Sequence, residues 1–273
     1  MTFKDKLKKI SVKNNSLVCI GLDSDIEKIP IRLKTNQHPQ FEFNKAIIDA
    51  TYDLVCAYKP NIAFYEAENL AGLMQLKYTL DYIGKNYPEI PVIMDAKRGD
   101  IDNSNSGYVK FIFDYLGADA ITVHPYLGKE ALKPFLDHQD RGVFILCRTS
   151  NPGAGELQDL EISGIPFYQI LAKKISSDWN YNGNCGLVVG ATYPNELEIV
   201  RRIVGEQIPL LIPGIGAQGG NIQKTVEAGI DSQGLNAIIN SSRKIIFADS
   251  GPEFAKKARM EALKLRDEIN KYR

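Results

Sequence analysis

The chain is poor in the residues that most often build metal and redox sites. It has three His and four Cys in 273 residues. Cys19, Cys56, Cys147 and Cys185 are far apart, with no C-x-x-C pair and no His at metal-ligand spacing. That scatter excludes a clustered zinc site, and a chain this long needs no disulfide framework. Four reduced, mostly buried thiols are expected. An excess of one charge is also missing, because 33 Lys+Arg balance 33 Asp+Glu. Gripping nucleic acid or an anionic membrane surface needs a basic excess. No window approaches the ~18 consecutive apolar residues of a membrane span. Residues 1–10 alternate Lys with apolar side chains and lack the apolar core of a secretory signal. These absences predict a cytoplasmic protein with no nucleic-acid and no membrane partner.

What is present is an ordinary globular composition, 44% apolar and 24% charged. Eight short apolar runs stand out as candidate strands: Leu17–Asp23, Lys59–Tyr65, Val92–Lys97, Ala120–His124, Val143–Thr149, Leu187–Ala191, Leu210–Gly214 and Ala237–Asn240. Several are apolar almost throughout, as parallel strands covered on both faces should be. Helical stripes lie between them. Leu73, Leu76, Leu80 and Ile83 mark one, Leu197, Val200 and Ile203 another, and Phe254, Ala258, Ala262, Leu265 and Ile269 the last. Eight βα units without a linker predict a single-domain α/β fold over residues 1–273, a (β/α)8 TIM barrel. Its longest loop falls at about 151–166. The alternative, a doubly wound open sheet, would usually carry a glycine-rich fingerprint after its first strand, and Gly21-Leu22-Asp23 is not one.

In such a barrel the chemistry belongs where strands end and βα-loops begin. Val92-Ile93-Met94-Asp95-Ala96-Lys97-Arg98-Gly99-Asp100-Ile101 places Asp95 and Lys97 two apart, on one side of a regular strand. Gly99 permits a turn that carries Asp100 to the rim. Asp23 ends the first strand and Lys59 begins the second, so Asp23, Lys59, Asp95 and Lys97 converge if the three strands are neighbours. A structural salt-bridge network is the plainer account of such an array. Its chemical consequence is that a lysine flanked by carboxylates stays protonated. That suits a cation that stabilises a carbanion and then donates a proton, and it disfavours a Schiff-base lysine.

Pro213-Gly214-Ile215-Gly216-Ala217-Gln218-Gly219-Gly220 follows the seventh run, before a helical pattern starting near Asn221. Glycines let backbone N–H groups approach an anion, and a helix N-terminus favours negative charge. Ser241-Ser242-Arg243 ends the eighth run with a guanidinium suited to phosphate. Arg148-Thr149-Ser150-Asn151-Pro152-Gly153 opens an irregular stretch to Pro166, a candidate lid. His124 has no evident partner and reads as packed or hydrogen-bonded, not as a base.

Asp95-x-Lys97-x-x-Asp100-Ile101, with Asp23 and Lys59, resembles the orotidine 5'-phosphate decarboxylase family. Asp-Ala-Lys-Arg-Gly-Asp-Ile, Arg-Thr-Ser-Asn-Pro-Gly and Pro-Gly-Ile-Gly-Ala-Gln-Gly-Gly resemble its longer bacterial form. The resemblance runs from Asp23 to Arg243. It implies loss of CO2 from orotidine 5'-phosphate to give uridine 5'-phosphate (UMP), without metal or organic cofactor. By the same resemblance, Lys97 donates the proton to C6, Asp95 lies beside the substrate carboxylate, and Lys59 and Asp23 orient the array and touch the ribose. Asp100 and Ile101 would reach a neighbouring subunit's site, which implies a homodimer with shared active sites. Ser104 stands where the family often has a ribose-contacting Thr. Ser150 would read the pyrimidine edge, and Gln218, Ser242 and Arg243 would hold the phosphate. Ser242 departs from the Gly common there. The rival readings are a magnesium-dependent sugar-phosphate lyase or decarboxylase of the same barrel superfamily, an imine-forming aldolase, and a non-catalytic nucleotide-binding protein.

Overall fold

In the computed structural model, which describes residues 1–215 and 220–273, eight parallel strands alternate with helices. The strands are β1 Val18–Leu22, β2 Ala57–Pro60, β3 Ile93–Arg98, β4 Ala120–Val123, β5 Gly142–Arg148, β6 Cys185–Val189, β7 Leu210–Pro213 and β8 Ala237–Ser241. They are hydrogen-bonded in the order β2-β1-β8-β7-β6-β5-β4-β3. Parallel bridges from Tyr58 to Val92 and from Asn61 to Asp95 join β2 to β3, so the sheet closes into a (β/α)8 barrel. Closure rules out the open doubly wound sheet.

The apolar runs become strands because helices cover their outer face while the barrel interior buries the other. Every residue of β1, β2, β4 and β6 is buried. The helical stripes dock as their period requires. In the helix Phe254–Ile269, Phe254, Ala258, Ala262, Leu265 and Ile269 are all buried. Helix Phe3–Lys13 starts with a capping box between Thr2 and Asp5, and Phe3 meets Phe144 of β5 edge-on at 5.5 Å. Arg201, mostly removed from water, donates to the carbonyls of Gly205, Ile208, Gly229 and Asn236, which ties together loops at the N-terminal end of the barrel.

The second strand differs from its expected bounds. It covers Ala57–Pro60, and the apolar run after it turns into a short helix, Ala63–Glu66, with the Asn61 side chain accepting from the Ala63 N–H at 3.2 Å. A short apolar run suits either element, and here the proline and the Asn turn decide for helix. Lys59 therefore lies one residue from the C-terminal end of its strand, not at the start. Residues 151–166 are also more ordered than an irregular loop. They form a 3-10 turn Pro152–Ala154, a helical turn Gly155–Gln158 and an antiparallel pairing of Glu161–Ile162 with Ile165–Pro166.

All four cysteines are free and buried, and burial pushes the thiols of Cys56, Cys147 and Cys185 up to about 12. Among the described residues no helix is long and apolar enough to cross a membrane.

Candidate active site

The C-terminal mouth of the barrel gathers a chain of alternating charges. Lys59 Nζ donates to Asp95 Oδ2 at 2.7 Å, and Lys97 Nζ donates to Asp95 Oδ1 at 2.6 Å. Asp95 also accepts the Thr122 hydroxyl on Oδ1 at 2.9 Å. Burial opposes ionisation of Asp95, but the charges of Lys59 and Lys97 overcome it and hold the carboxyl well below its ordinary value. Burial alone would lower Lys59. Asp95 and then Asp23 outweigh it, so its ammonium is held above the ordinary lysine value. The two lysines differ in access: the Lys59 side chain is 5% exposed and that of Lys97 is 52% exposed.

Asp95 and Lys97 meet, though strand alternation is not the cause. Met94 pairs with Ile121 and Arg98 with Val123, so three residues of β3 stand opposite Thr122 alone on β4. This bulge leaves Lys97 at φ 46°, a left-handed conformation that costs a non-glycine residue roughly 1 kcal/mol. Gly99 follows, pressed so closely on His124 that a Cβ there would lie 2.8 Å from the imidazole Nε2. His124 thus backs the turn that leads to Asp100.

Asp23, Lys59 and Asp95 line one cavity of about 160 Å³ with Pro213, Gly214, Ile215, Asn240, Ser242 and Arg243. Asp23 Oδ1 is buried there without a hydrogen-bond partner among the described residues. Its backbone is held from behind, as the Tyr65 hydroxyl donates to the Leu22 carbonyl at 2.9 Å and Gln40 Nε2 to the Ser24 carbonyl at 2.8 Å. Arg243 is exposed and forms no ion pair among the described residues, so its guanidinium is available to an anion at the edge of this cavity. Ser242 has φ −116° and ψ −90°, so its φ lies outside the left-handed region that favours glycine.

The Ser242 hydroxyl occupies space that Gly21 leaves free. A Cβ on Gly21 would fall 1.8 Å from Ser242 Oγ and 2.9 Å from its Cβ. Gly21→Ala is expected to destabilise the protein by about 1–3 kcal/mol through overpacking. Adding Ser242→Gly should restore most of that loss, read from the urea midpoints of the single and double variants. Equal destabilisation in both would show that the clash lies elsewhere.

The remaining expected residues are not drawn into this cavity. Asp100, Ile101 and Ser104 are exposed on the rim, with Ile101 59% exposed. Asn105 fixes that turn, accepting from the Asp100 N–H at 2.9 Å and donating to the Ala131 carbonyl at 2.6 Å. Ser150 lies against Gly190, at the root of the 151–166 excursion. Gln218 lies outside the described residues. Sequence reasoning missed Thr122, Asn105 and Asn240, each a single polar residue with no spacing signal around it. Among the described residues no group of three or more His, Cys, Asp or Glu is placed to hold a metal ion.

A lysine–carboxylate array sharing a cavity with an arginine that is unpaired among the described residues, at the C-terminal mouth of a closed barrel, defines an enzyme of the (β/α)8 class. Its family is shown by comparison. The model of the Orotidine 5'-phosphate decarboxylase / HUMPS family matches residues 16–258, so the chain belongs to that family. It is 51% identical over 272 residues to the orotidine 5'-phosphate decarboxylase of Cellvibrio japonicus (strain Ueda107), covering 99% of this chain and 98% of that protein. The structure of Leishmania donovani OMP decarboxylase superposes with a TM-score of 0.87 at 35% identity, covering 100% of this chain and 98% of that one. Leishmania donovani UMP synthase gives a TM-score of 0.89 at 37% identity, and this chain spans 56% of its length.

Proposed function

We propose that this protein decarboxylates orotidine 5'-phosphate to UMP, the last step of de novo pyrimidine nucleotide synthesis. The observation that carries the reading is Asp95 clamped between the Lys59 and Lys97 ammonium groups at the barrel mouth. Breaking the bond from C6 to the carboxylate leaves an electron pair in the ring plane, where the π-system delocalises it poorly. Preorganised charge must stabilise it. Lys97 is the accessible end of the array, while Lys59 is buried behind Asp95. The assignment is therefore Lys97 as proton donor to C6, with its Nζ reprotonated from solvent after CO2 departs. Lys59 keeps Asp95 ionised and in place, and Asp95 fixes the direction of the Lys97 ammonium beside the departing carboxylate.

Arg243 and the Ser242 backbone, with Gln218, are assigned to the phosphate, Asp23 to the ribose and Ser150 to the pyrimidine edge. Residues 151–166 are assigned as a cover over the ring. Arg148 anchors that excursion through an ion pair to Asp159 at 2.8 Å and by stacking on Tyr193. Remote phosphate binding then supplies energy for closure. The buried free cysteines suit a reducing compartment, in keeping with a cytoplasmic reaction.

The test is loss of orotidine 5'-phosphate absorbance on adding purified protein, with and without EDTA. Rapid conversion to UMP, unchanged by EDTA, is expected. Conversion abolished by EDTA would shift the reading to the magnesium-dependent relatives, and no conversion by folded protein that binds UMP would favour a non-catalytic nucleotide binder.

Asp100, Ile101 and Ser104, exposed beyond their own cavity, support a homodimer in which each subunit completes the other's site. Mixing inactive Lys97→Ala and Asp100→Ala proteins should then restore about a quarter of wild-type activity, because half of the dimers are hybrid and each hybrid has one intact site. No recovery after verified subunit exchange would mean that the sites are not shared.

A further inference from the structure

We propose that Thr122 is a positioning residue that sets the geometry between Lys97 and Asp95 through one hydroxyl. The inference rests on the assignment of Lys97 as proton donor. Thr122 is buried in β4, opposite the three bulged residues Asp95, Ala96 and Lys97. Its Oγ1 accepts the backbone N–H groups of Ala96 and Lys97, each at 3.1 Å, and donates its proton to Asp95 Oδ1 at 2.9 Å. A hydroxyl has one donor and two acceptor sites, and here all three are used.

The arrangement couples the two ends of the catalytic contact. One end is the Lys97 backbone, held at φ 46° by the bulge. The other is Asp95 Oδ1, the oxygen that also receives Lys97 Nζ at 2.6 Å. The bulge takes Ala96 and Lys97 out of the regular β3–β4 pairing, and the Thr122 hydroxyl is the acceptor their N–H groups find instead. Without it, two N–H groups lose their acceptor and Asp95 loses a donor. The strained lysine backbone then has less to keep it in place. The Thr122 hydroxyl bonds to Asp95 and to the backbone of Ala96 and Lys97, and Thr122 is not among the residues that line the cavity with Arg243, so its effect is expected at the reacting end and not at the phosphate.

The experiment compares Thr122→Val, which keeps the shape and removes the hydroxyl, with Thr122→Ser, which keeps the hydroxyl. For Val we expect kcat to fall about 100-fold, the scale of an ångström-sized misplacement at a reacting centre, with UMP affinity within about threefold of wild type. Ser should retain kcat within about threefold. Adding Thr122→Val to Lys97→Ala should bring little further loss, since the group being positioned is gone. Wild-type kcat in Thr122→Val, equal impairment by Ser and Val, or a full additional loss on the Lys97→Ala background would each overturn the proposal. If the Val protein does not fold, Thr122→Ala serves the same comparison. A crystal structure of the hydroxyl-less variant tests the geometry independently of turnover. Lys97 is expected to leave its left-handed conformation and its contact with Asp95, and an unchanged Lys97 would refute the role. Absence of decarboxylation in the wild-type protein would instead overturn the functional reading alone.

Discussion

Lys97→Ala is expected to lower the turnover of orotidine 5'-phosphate about 10,000-fold while leaving UMP binding within about tenfold of wild type. The size follows from two losses at one atom. A positioned proton donor contributes roughly 100- to 10,000-fold, and a fixed charge aimed at a developing anion contributes a comparable factor. The variant should fold, because the Lys97 side chain is half-exposed and packs little. A backbone control separates strain from chemistry. Lys97 has φ 46°, so Lys97→Gly should be more stable than Lys97→Ala by about 1 kcal/mol and equally inactive. Arg243→Ala should show the opposite kinetic pattern, a raised KM and weakened UMP binding, because Arg243 borders the cavity and makes no hydrogen bond or ion pair to the lysine–carboxylate array among the described residues. Near-normal single-turnover rates in Lys97→Ala would remove Lys97 from the mechanism.

The parts of this molecule that were legible in the sequence are those written in periodicity or in local motifs. The buried stripe of the last helix repeats at helical spacing, and the eight strands stand out because both of their faces are covered. Lys59 was misplaced within its strand because Ile62-Ala63-Phe64-Tyr65 is as apolar as a strand, and only the turn at Asn61 reveals a helix. Asp95 and Lys97 meet, as a spacing of two suggests, but strand alternation is not the reason: the physical cause is a bulge that no local pattern announces. Thr122 reads as one more β-branched residue in an apolar run, and its value comes from three partners on the facing strand. The fit of Ser242 against Gly21 is likewise tertiary, since the two residues meet only when β8 closes on β1. Periodicity thus gives the barrel, while long-range register gives the geometry of its mouth.

Removing the charge of Asp95 should damage stability as well as activity. In Asp95→Asn the buried Lys59 ammonium loses the carboxylate it bonds and, among the described residues, keeps the charge of Asp23, and a buried charge deprived of its partner costs about 3–5 kcal/mol. Loss of catalysis accompanies it, because the side chain loses its negative charge and one of the two oxygens that the lysines share becomes an NH2 donor, so Lys97 is no longer fixed as before. Adding Lys59→Met should recover most of the stability and none of the activity, since an apolar side chain of similar length fits the buried site without a charge to balance. The pH dependence gives an independent check. The carboxyl of Asp95 is depressed in the folded protein, so its contribution is present above about pH 4, the unfolded value, and is lost progressively as pH falls towards the folded one. Lys59 is raised, so its contribution is complete below about pH 10 and disappears as pH rises through the folded value. The stability difference between wild type and the double variant should therefore be constant from about pH 5 to 9. It should change below about pH 4 and above about pH 10, as measured by urea unfolding across that range. A difference that stays constant down to pH 2 would mean that Asp95 is not the ionised centre of the array, and stability unimproved by Lys59→Met would mean that Lys59 is not the charge it balances.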